Sequence, residues 1–181
     1  MPQNHFRIRI LLTIMTFAIV LSTTSLSALA MSVSNCSTTN PVYGLVSSNA
    51  TPYLTIRSSA NINSSSLGQV YPGNYVMIVG QSGDFYRIQY TTQGQAYGYV
   101  HKDYVTDMSS SCPGKVKAVT SGPSINVRDI ANINGSSIGY MPNNSYAPAL
   151  SSQTYGGGWY HVVWGIVQGY VYGSNTEYTS Y

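Results

Sequence analysis

The chain has 181 residues, of which 43% are hydrophobic, 12% aromatic and only 7% charged, whereas a typical soluble domain is about 25% charged. This composition is not that of a disordered chain, which combines low hydrophobicity with high net charge. The formal net charge is +3 with no cluster of basic residues. Because phosphate binding needs several Lys or Arg on one face, nucleic acid and anionic membrane surfaces are disfavoured as partners.

Residues 1–30 are predicted to be a signal peptide. Arg7 and Arg9 precede an apolar run at 10–21, a polar stretch and an Ala-Leu-Ala sequence at 28–30, the pattern of a charged start, an apolar region and a cleavage site. A membrane anchor is disfavoured because spanning takes about 20 apolar residues. We therefore expect an exported chain that begins at Met31, is secreted or periplasmic, and has no membrane span after cleavage.

Two cysteines, Cys36 and Cys112, lie 76 residues apart. An even cysteine count in an exported protein favours a disulfide. Closing a loop of this length would stabilise the fold by roughly 4 kcal/mol in the chain-entropy model. We predict a disulfide between Cys36 and Cys112, with two free thiols as the alternative.

An internal repeat organises the rest of the chain. Residues 56–68 recur at 127–139, 71 positions later, with eight of the 13 residues identical. Further along, Phe85-Tyr86 corresponds to Trp159-Tyr160 after a three-residue insertion near 156–158. Similarity at a fixed offset indicates two copies of one structural unit.

Each copy is predicted to consist of short strands and turns. The polar segments 61–66 and 132–137 are turn-forming, and the glycine-bounded segment 80–83 is a hairpin signal. The predicted strands are 53–57, 75–79, 85–90 and 97–100 in the first copy and 125–128 in the second. About 60 residues with five short strands suit a small barrel, because closure removes open sheet edges. We predict an all-β fold of two small barrels in tandem.

The domain bounds follow from the repeat. They are an N-terminal segment at 31–42, a first barrel at 43–106, a linker at 107–115 and a second barrel at 116–178. A barrel of this size is marginally stable alone, which gives the predicted disulfide a physical reason. These bounds leave no room for a separate hydrolase domain.

The repeated motifs carry a family resemblance. In the first copy they are Leu54-Thr55-Ile56-Arg57, Leu67-Gly68, Gly73, Phe85-Tyr86, Gly98-Tyr99-Val100 and Tyr104-Val105. In the second copy they are Ile125-Asn126-Val127-Arg128, Ile138-Gly139, Trp159-Tyr160 and Gly169-Tyr170-Val171. Together they resemble the bacterial SH3 (SH3b) domain family in two tandem copies, which implies SH3-like barrels. Pro148 departs from the pattern because proline cannot donate to a strand ladder, which predicts an edge or bulged strand there.

The resemblance implies binding rather than chemistry. Such domains are targeting modules of exported bacterial proteins, and they often hold peptidoglycan or its peptides. We expect a secreted, non-catalytic protein that binds cell-wall peptidoglycan through its peptide or glycan part. The alternative is an extracellular structural, protein-interaction or assembly component with no wall ligand.

Tyrosines and asparagines are the candidate binding residues. Because strand side chains alternate, Tyr75 is expected to point away from the face of Val76, and Tyr146 repeats this outward position. Tyrosine suits peptide and glycan grooves, although many tyrosines in a small barrel are core residues. The other candidates lie on the loop that borders the family's groove, where they either contact ligand or satisfy their own turns: Asn61, Asn63, Asn132 and Asn134.

No catalytic residue, metal site or cofactor is predicted. Cys112 with His101 or His161 is the one Cys/His set, and Cys112 lies in a segment with no helix N-terminus to lower its pKa. Cys36, Cys112 and the two histidines lack the paired spacing of metal ligands. The five acidic residues are scattered singly, so paired-carboxylate chemistry is disfavoured as well.

Overall fold

A computed structural model describes residues 31–181, so the predicted signal peptide lies outside the described residues. This part of the chain consists of fourteen strands and four short 3-10 turns, with no α-helix. None of its helical segments is long and apolar enough to cross a membrane. The prediction of an all-β fold is confirmed.

The first seven strands form one antiparallel sheet. They are β1 (Val42–Val46), β2 (Leu54–Arg57), β3 (Ser66–Val70), β4 (Tyr75–Ser82), β5 (Phe85–Gln89), β6 (Tyr97–His101) and β7 (Val105–Asp107). Their order in the sheet is β3-β2-β6-β5-β4-β1-β7. Inward and outward positions alternate, as a half-buried sheet requires; in β2, for example, Leu54 and Ile56 are buried and their neighbours only partly so.

The last seven strands repeat this arrangement. They are β8 (Gly114–Ala118), β9 (Ser124–Arg128), β10 (Ser137–Pro142), β11 (Tyr146–Ala149), β12 (Trp159–Trp164), β13 (Val167–Tyr172) and β14 (Thr176–Ser180). Their order, β10-β9-β13-β12-β11-β8-β14, matches the first sheet strand for strand. The prediction of two small SH3-like barrels in tandem is confirmed, with the strands of the first spanning 42–107 and those of the second 114–180.

Pro148 corrects one local expectation. It lies in β11, which is flanked by β8 and β12 and is therefore not an edge strand. Pro148 itself faces Lys115 of β8. On the other side, β11 pairs with β12 only at Ala149 and Val162. Proline has no N–H to donate to a neighbouring strand. It is tolerated in this internal strand because the ladder between β11 and β12 consists of a single pair, so few hydrogen bonds are lost there.

Each barrel has its own apolar core. The first includes the fully buried residues Val42, Ile56, Val76, Ile78, Ile88 and Val100. The second includes Val116, Val127, Met141, Val162, Trp164 and Val171. The inward residues of β2, β4, β5 and β6 and of their second-copy counterparts supply most of these side chains, so the repeat in sequence is also a repeat of the core.

The two barrels are packed against each other. Tyr43, Met77 and Val79 of the first barrel belong to the apolar cluster of the second. The indole Nε1 of Trp164 donates a hydrogen bond of 3.1 Å to the carbonyl oxygen of Thr92. The outer face of β4 is thus an interface between the barrels rather than a surface open to solvent.

Candidate functional site

Each barrel carries a surface groove at the same place in its fold. The first groove is lined by Tyr53, Leu54, Thr55, Arg57, Ile62 and His101, among others. The second groove is lined by Ser124, Ile125, Asn126, Arg128, Ile133 and Tyr172. Each residue of the second list stands 71 positions after its counterpart in the first. The duplicated sequence therefore builds one site twice.

A loop along each groove is held in shape by equivalent hydrogen bonds. In the first loop (residues 58–65), the backbone N–H of Asn63 donates to Oδ1 of Asn61 over 2.8 Å. In the second loop (129–136), the N–H of Asn134 donates to Oδ1 of Asn132 over 2.9 Å. These are Asx turns, in which a side chain takes the place of a backbone acceptor.

The arginine at the end of the preceding strand supports each loop. Nη1 of Arg57 donates to the carbonyl oxygen of Ser64 over 3.0 Å. Nη1 of Arg128 donates to the carbonyl oxygen of Gly135 over 2.5 Å. Both arginines are partly buried. The loops are thereby tied to β2 and β9, which fixes the residues at their tips.

Each loop presents an isoleucine at its tip. Ile62 is 57% exposed and Ile133 is 66% exposed. When a ligand covers a large aliphatic side chain that was exposed to water, the transfer free energy of the buried area stabilises the complex and exceeds the side-chain entropy that is lost. The two isoleucines are therefore ready apolar contacts for a bound molecule.

Aromatic rings also border both grooves. In the first, the ring of His101 lies between Phe85, 5.0 Å away, and Tyr104, 5.9 Å away, in edge-on contacts. In the second, the rings of Trp159 and Tyr172 are 5.1 Å apart. Rings locked by such contacts offer contact area at a small cost in side-chain entropy.

The second groove continues into a shallow extension at the turn around residues 156–158. Gly156 and Gly157 lie there beside Ile133, Trp159 and Tyr172. These glycines belong to the three-residue insertion of the second copy. Because glycine has no side chain, the backbone of this turn is open to contact with a bound molecule.

Comparison with known proteins identifies the first of these units. Residues 52–106, which include Arg57, Ile62 and His101, match the model of the family described as bacterial SH3 domain. This part of the chain is a bacterial SH3 domain. The second barrel has the same strand order and lies outside the matched residues.

Among curated proteins, the chain is similar to bacteriocin BCN5 of Clostridium perfringens. The two are 35% identical over 69 residues, which are 38% of this chain and 7% of the bacteriocin. The chain thus spans only a small part of that relative's length.

Solved structures with a partial likeness include three NlpC proteins. NlpC2 and NlpC1 from Trichomonas vaginalis are 19% and 20% identical, with TM-scores of 0.35 and 0.36, and align over 77% and 83% of this chain and 48% and 49% of theirs. An NlpC/P60 family protein from Bacillus cereus is 12% identical, with a TM-score of 0.30, over 76% of this chain and 56% of its own. The chain covers about half the length of each.

The structure does not bring the predicted tyrosines to the grooves of the SH3-like barrels. Tyr75 is half-buried, meets Tyr43 edge-on at 5.5 Å and packs against the apolar cluster of the second barrel. Its outward position on β4 follows the strand period, but that face borders the neighbouring barrel, where Tyr75 lines a separate cleft with Ile138 and Ile166. Contact of Tyr75 with a ligand stays a prediction. Tyr146 lies under the ammonium group of Lys115, 5.0 Å from its ring, and does not line the second groove.

The predicted asparagines do lie on the groove loops. Oδ1 of Asn61 and Oδ1 of Asn132 accept hydrogen bonds within their own turns, so these oxygens serve the loop itself. Asn63 and Asn134 are exposed beside the isoleucines. Contact with a ligand stays a prediction for all four.

The arginines, isoleucines and His101 of the grooves were missing from the sequence-based candidates. A signal for two of them was present, because Arg57 and Ile62 both lie in the repeated segment and recur unchanged as Arg128 and Ile133. Nothing in one sequence shows that His101, replaced by Tyr172 in the second copy, borders the same groove.

The structure holds Cys36 and Cys112 as two free thiols in place of the predicted disulfide. Cys112 belongs to the second apolar cluster, whereas Cys36 packs against the first, and Tyr181 packs against both clusters. Cys112 donates through Sγ to the carbonyl oxygen of Gly114 over 3.4 Å. Burial raises the pKa of Cys36 to about 11 and that of Cys112 to about 12.

His101 and His161 are part of aromatic clusters. His101 lies in the first groove, whereas the ring of His161 stacks on Tyr170 at 4.5 Å. Burial lowers the pKa of His161. Within residues 31–181, no group of three His, Cys, Asp or Glu side chains is placed to hold a metal ion.

Proposed function

We propose that this is an extracellular, non-catalytic protein that binds cell-wall peptidoglycan through its two grooves. The SH3 domain at 52–106 supports attachment to the cell wall. The observation that carries the proposal furthest is the recurrence of one groove, with the same arginine and isoleucine, in both barrels.

Two similar grooves suit a polymeric ligand. Peptidoglycan presents the same chemical groups many times, so a second groove can bind while the first stays engaged. Binding of the second site is then effectively intramolecular, and the overall affinity exceeds that of either groove alone. The packed barrels hold the two grooves in a fixed relation, which limits the entropy lost when both are occupied.

The chemistry of the cysteines supports a binding role over hydrolysis. A cysteine nucleophile reacts as the thiolate. The pKa of Cys112 is raised to about 12 by its burial, so the thiolate is a very small fraction at neutral pH. Its nearest polar partners are backbone carbonyl oxygens, those of Gly114 and Ala149, and these cannot act as a general base.

The test is co-sedimentation of the full chain with purified peptidoglycan sacculi. We expect saturable binding that is weakened by the double change Ile62→Ser with Ile133→Ser, because both groove edges lose their apolar contact. The matched control is Ile130→Ser, which removes an isoleucine that is 53% exposed on the same loop but outside the grooves. Single barrels are not suitable probes, because Met77 and Val79 of one barrel are buried against the other.

Absence of binding by a folded chain would overturn the proposal. The assembly alternative would then be examined by light scattering at increasing protein concentration. Binding that is equally strong in the double variant and in the Ile130→Ser control would leave wall attachment intact and refute the assignment to the grooves.

A further inference from the structure

We infer that the arginine of each groove, Arg57 in the first and Arg128 in the second, binds a free carboxylate of a short peptide. The inference rests on the proposed function. It names the chemical group of peptidoglycan that the grooves would bind, which is the carboxylate of a stem peptide.

The first argument is the number of donors left free on each guanidinium. Arginine has five N–H donors in a rigid fork. Arg57 uses Nη1 for the carbonyl oxygen of Ser64, and Arg128 uses Nη1 for that of Gly135. Within the part of the chain that the structure describes, these are the only protein hydrogen bonds formed by the two side chains. The loop bond fixes the orientation of the fork, and most of its donors remain for a ligand.

The second argument is the absence of a compensating acid in the described grooves. No Asp or Glu lines either groove, although Asp103 lies 3.7 Å from Nδ1 of His101 at the border of the first. The ion pairs formed within residues 31–181 involve His101, Lys102 and Lys117, and neither groove arginine takes part in one. Asp129 follows Arg128 in sequence but forms no ion pair with it. A partly buried cation without a counterion favours an anionic ligand.

The geometry of arginine favours a carboxylate as that anion. A guanidinium fork forms two parallel, charge-assisted hydrogen bonds with the two oxygens of a carboxylate, and such bonds are about twice as strong as neutral ones. The nearby Ile62 or Ile133 offers an apolar contact within the same groove. A carboxylate next to a small apolar side chain, as at the end of a peptide that finishes in alanine, matches both features.

The arrangement of an arginine tied to the loop and an exposed isoleucine at its tip occurs in both grooves. The two copies differ at many lining positions, for example Tyr53 against Ser124 and His101 against Tyr172. The arginine and the isoleucine stay the same in both. A contrasting case is Arg87, whose guanidinium lies 4.3 Å above the ring of Tyr97 and outside both grooves.

The experiment is a competition assay with the full chain bound to sacculi. The competitors are the pentapeptide L-Ala-γ-D-Glu-L-Lys-D-Ala-D-Ala, the same peptide with its carboxyl groups amidated, and N-acetylmuramic acid as a carboxylate from the glycan. We expect the free peptide to displace the protein from sacculi at a concentration about tenfold lower than the amidated peptide, because amidation removes the charge-assisted hydrogen bonds.

Variants assign the effect to the arginines. The double change Arg57→Gln with Arg128→Gln should abolish the preference for the free peptide, whereas Arg57→Lys with Arg128→Lys should keep part of it because the charge remains. Arg87→Gln is the matched control and should behave as the unchanged protein. A circular dichroism spectrum of each variant establishes that it is folded.

Equal competition by the free and amidated peptides, or no competition by either, would overturn the inference while sacculus binding still upheld the proposed function. Competition by N-acetylmuramic acid instead of the peptide would overturn the assignment to a peptide carboxylate. Failure of the unchanged, folded chain to bind sacculi would refute the proposed function itself.

Discussion

Met77 in the first barrel donates its backbone N–H to the carbonyl oxygen of Gly165 in the second barrel over 2.8 Å. The side chain of Met77 is 1% exposed and packs in the apolar cluster of that second barrel. A second bond of 2.7 Å runs from the N–H of Tyr140 to the carbonyl oxygen of Thr92. Backbone bonds and shared apolar packing therefore join two barrels that the sequence presents as separate repeats.

Unfolding of the two barrels should be coupled. Trp164 is fully buried in the second barrel and bonds through Nε1 to Thr92 of the first. Trp164→Ala should lower the free energy of unfolding by about 3–5 kcal/mol, through the lost packing of a large core side chain. Urea denaturation followed by tyrosine fluorescence and by circular dichroism should give one common transition. Two separated transitions in the unchanged protein would contradict the coupling.

Gly165 should tolerate no side chain. Its φ is +65°, and an added Cβ would lie 2.4 Å from the carbonyl oxygen of Thr91 in the other barrel. Gly165→Ala combines a left-handed backbone with a backbone clash across the interface, so we expect a loss of at least about 2 kcal/mol.

The matched control for that change is Gly157→Ala. Gly157 also has a positive φ, +88°, but nothing lies within 4 Å of its added Cβ. Only the backbone strain remains, which costs about 1 kcal/mol. Equal losses in the two variants, measured by thermal unfolding, would show that the contact of Gly165 with the first barrel is unimportant for stability.

Stability should fall in mild acid partly because of His161. Burial lowers its pKa in the folded state below the ordinary value of 6.5, so the unfolded chain takes up a proton first as the pH decreases. The contribution to stability is therefore complete above about pH 6.5 and is lost as the pH falls through the lower, folded-state pKa. His161→Phe keeps a ring to stack on Tyr170 and should remove this part of the pH dependence. An unchanged slope between pH 7 and 5 would refute the role of His161.

The two thiols should be slow to react in the folded protein. Burial raises the pKa of Cys36 to about 11 and of Cys112 to about 12, so little thiolate exists at pH 7.5. We expect slow labelling by Ellman's reagent in buffer and rapid labelling of both thiols in denaturant. Cys36→Ser and Cys112→Ser identify which residue each signal belongs to. Denatured protein that reacts only after reduction would instead establish the disulfide that the sequence predicted.

The sequence by itself determined the repeat, the all-β class and the turn-forming asparagine segments that border the grooves. Residues 56–68 and 127–139 carry the strand-end arginine, the turn asparagines and the tip isoleucine, all of which act through neighbours a few positions away. Local hydrogen bonds of this kind are encoded within one segment, so the repeat carries them; the sequence predicted the asparagine turns but not the roles of the arginines or the isoleucines. The placement of His101 beside Ile62 joins residues distant in sequence and needed the folded chain.

Only the tertiary structure decided whether the outer face of β4 is exposed to solvent or buried. Strand alternation correctly separates Tyr75 and Met77 from Val76 and Ile78, but the period of two says nothing about what lies against each face. Here the second barrel covers most of it: Met77 and Val79 are buried in the apolar cluster of that barrel, which removes their side chains from water. The alternation of side chains is set within one strand, whereas the burial of each face depends on the other elements that pack against that strand.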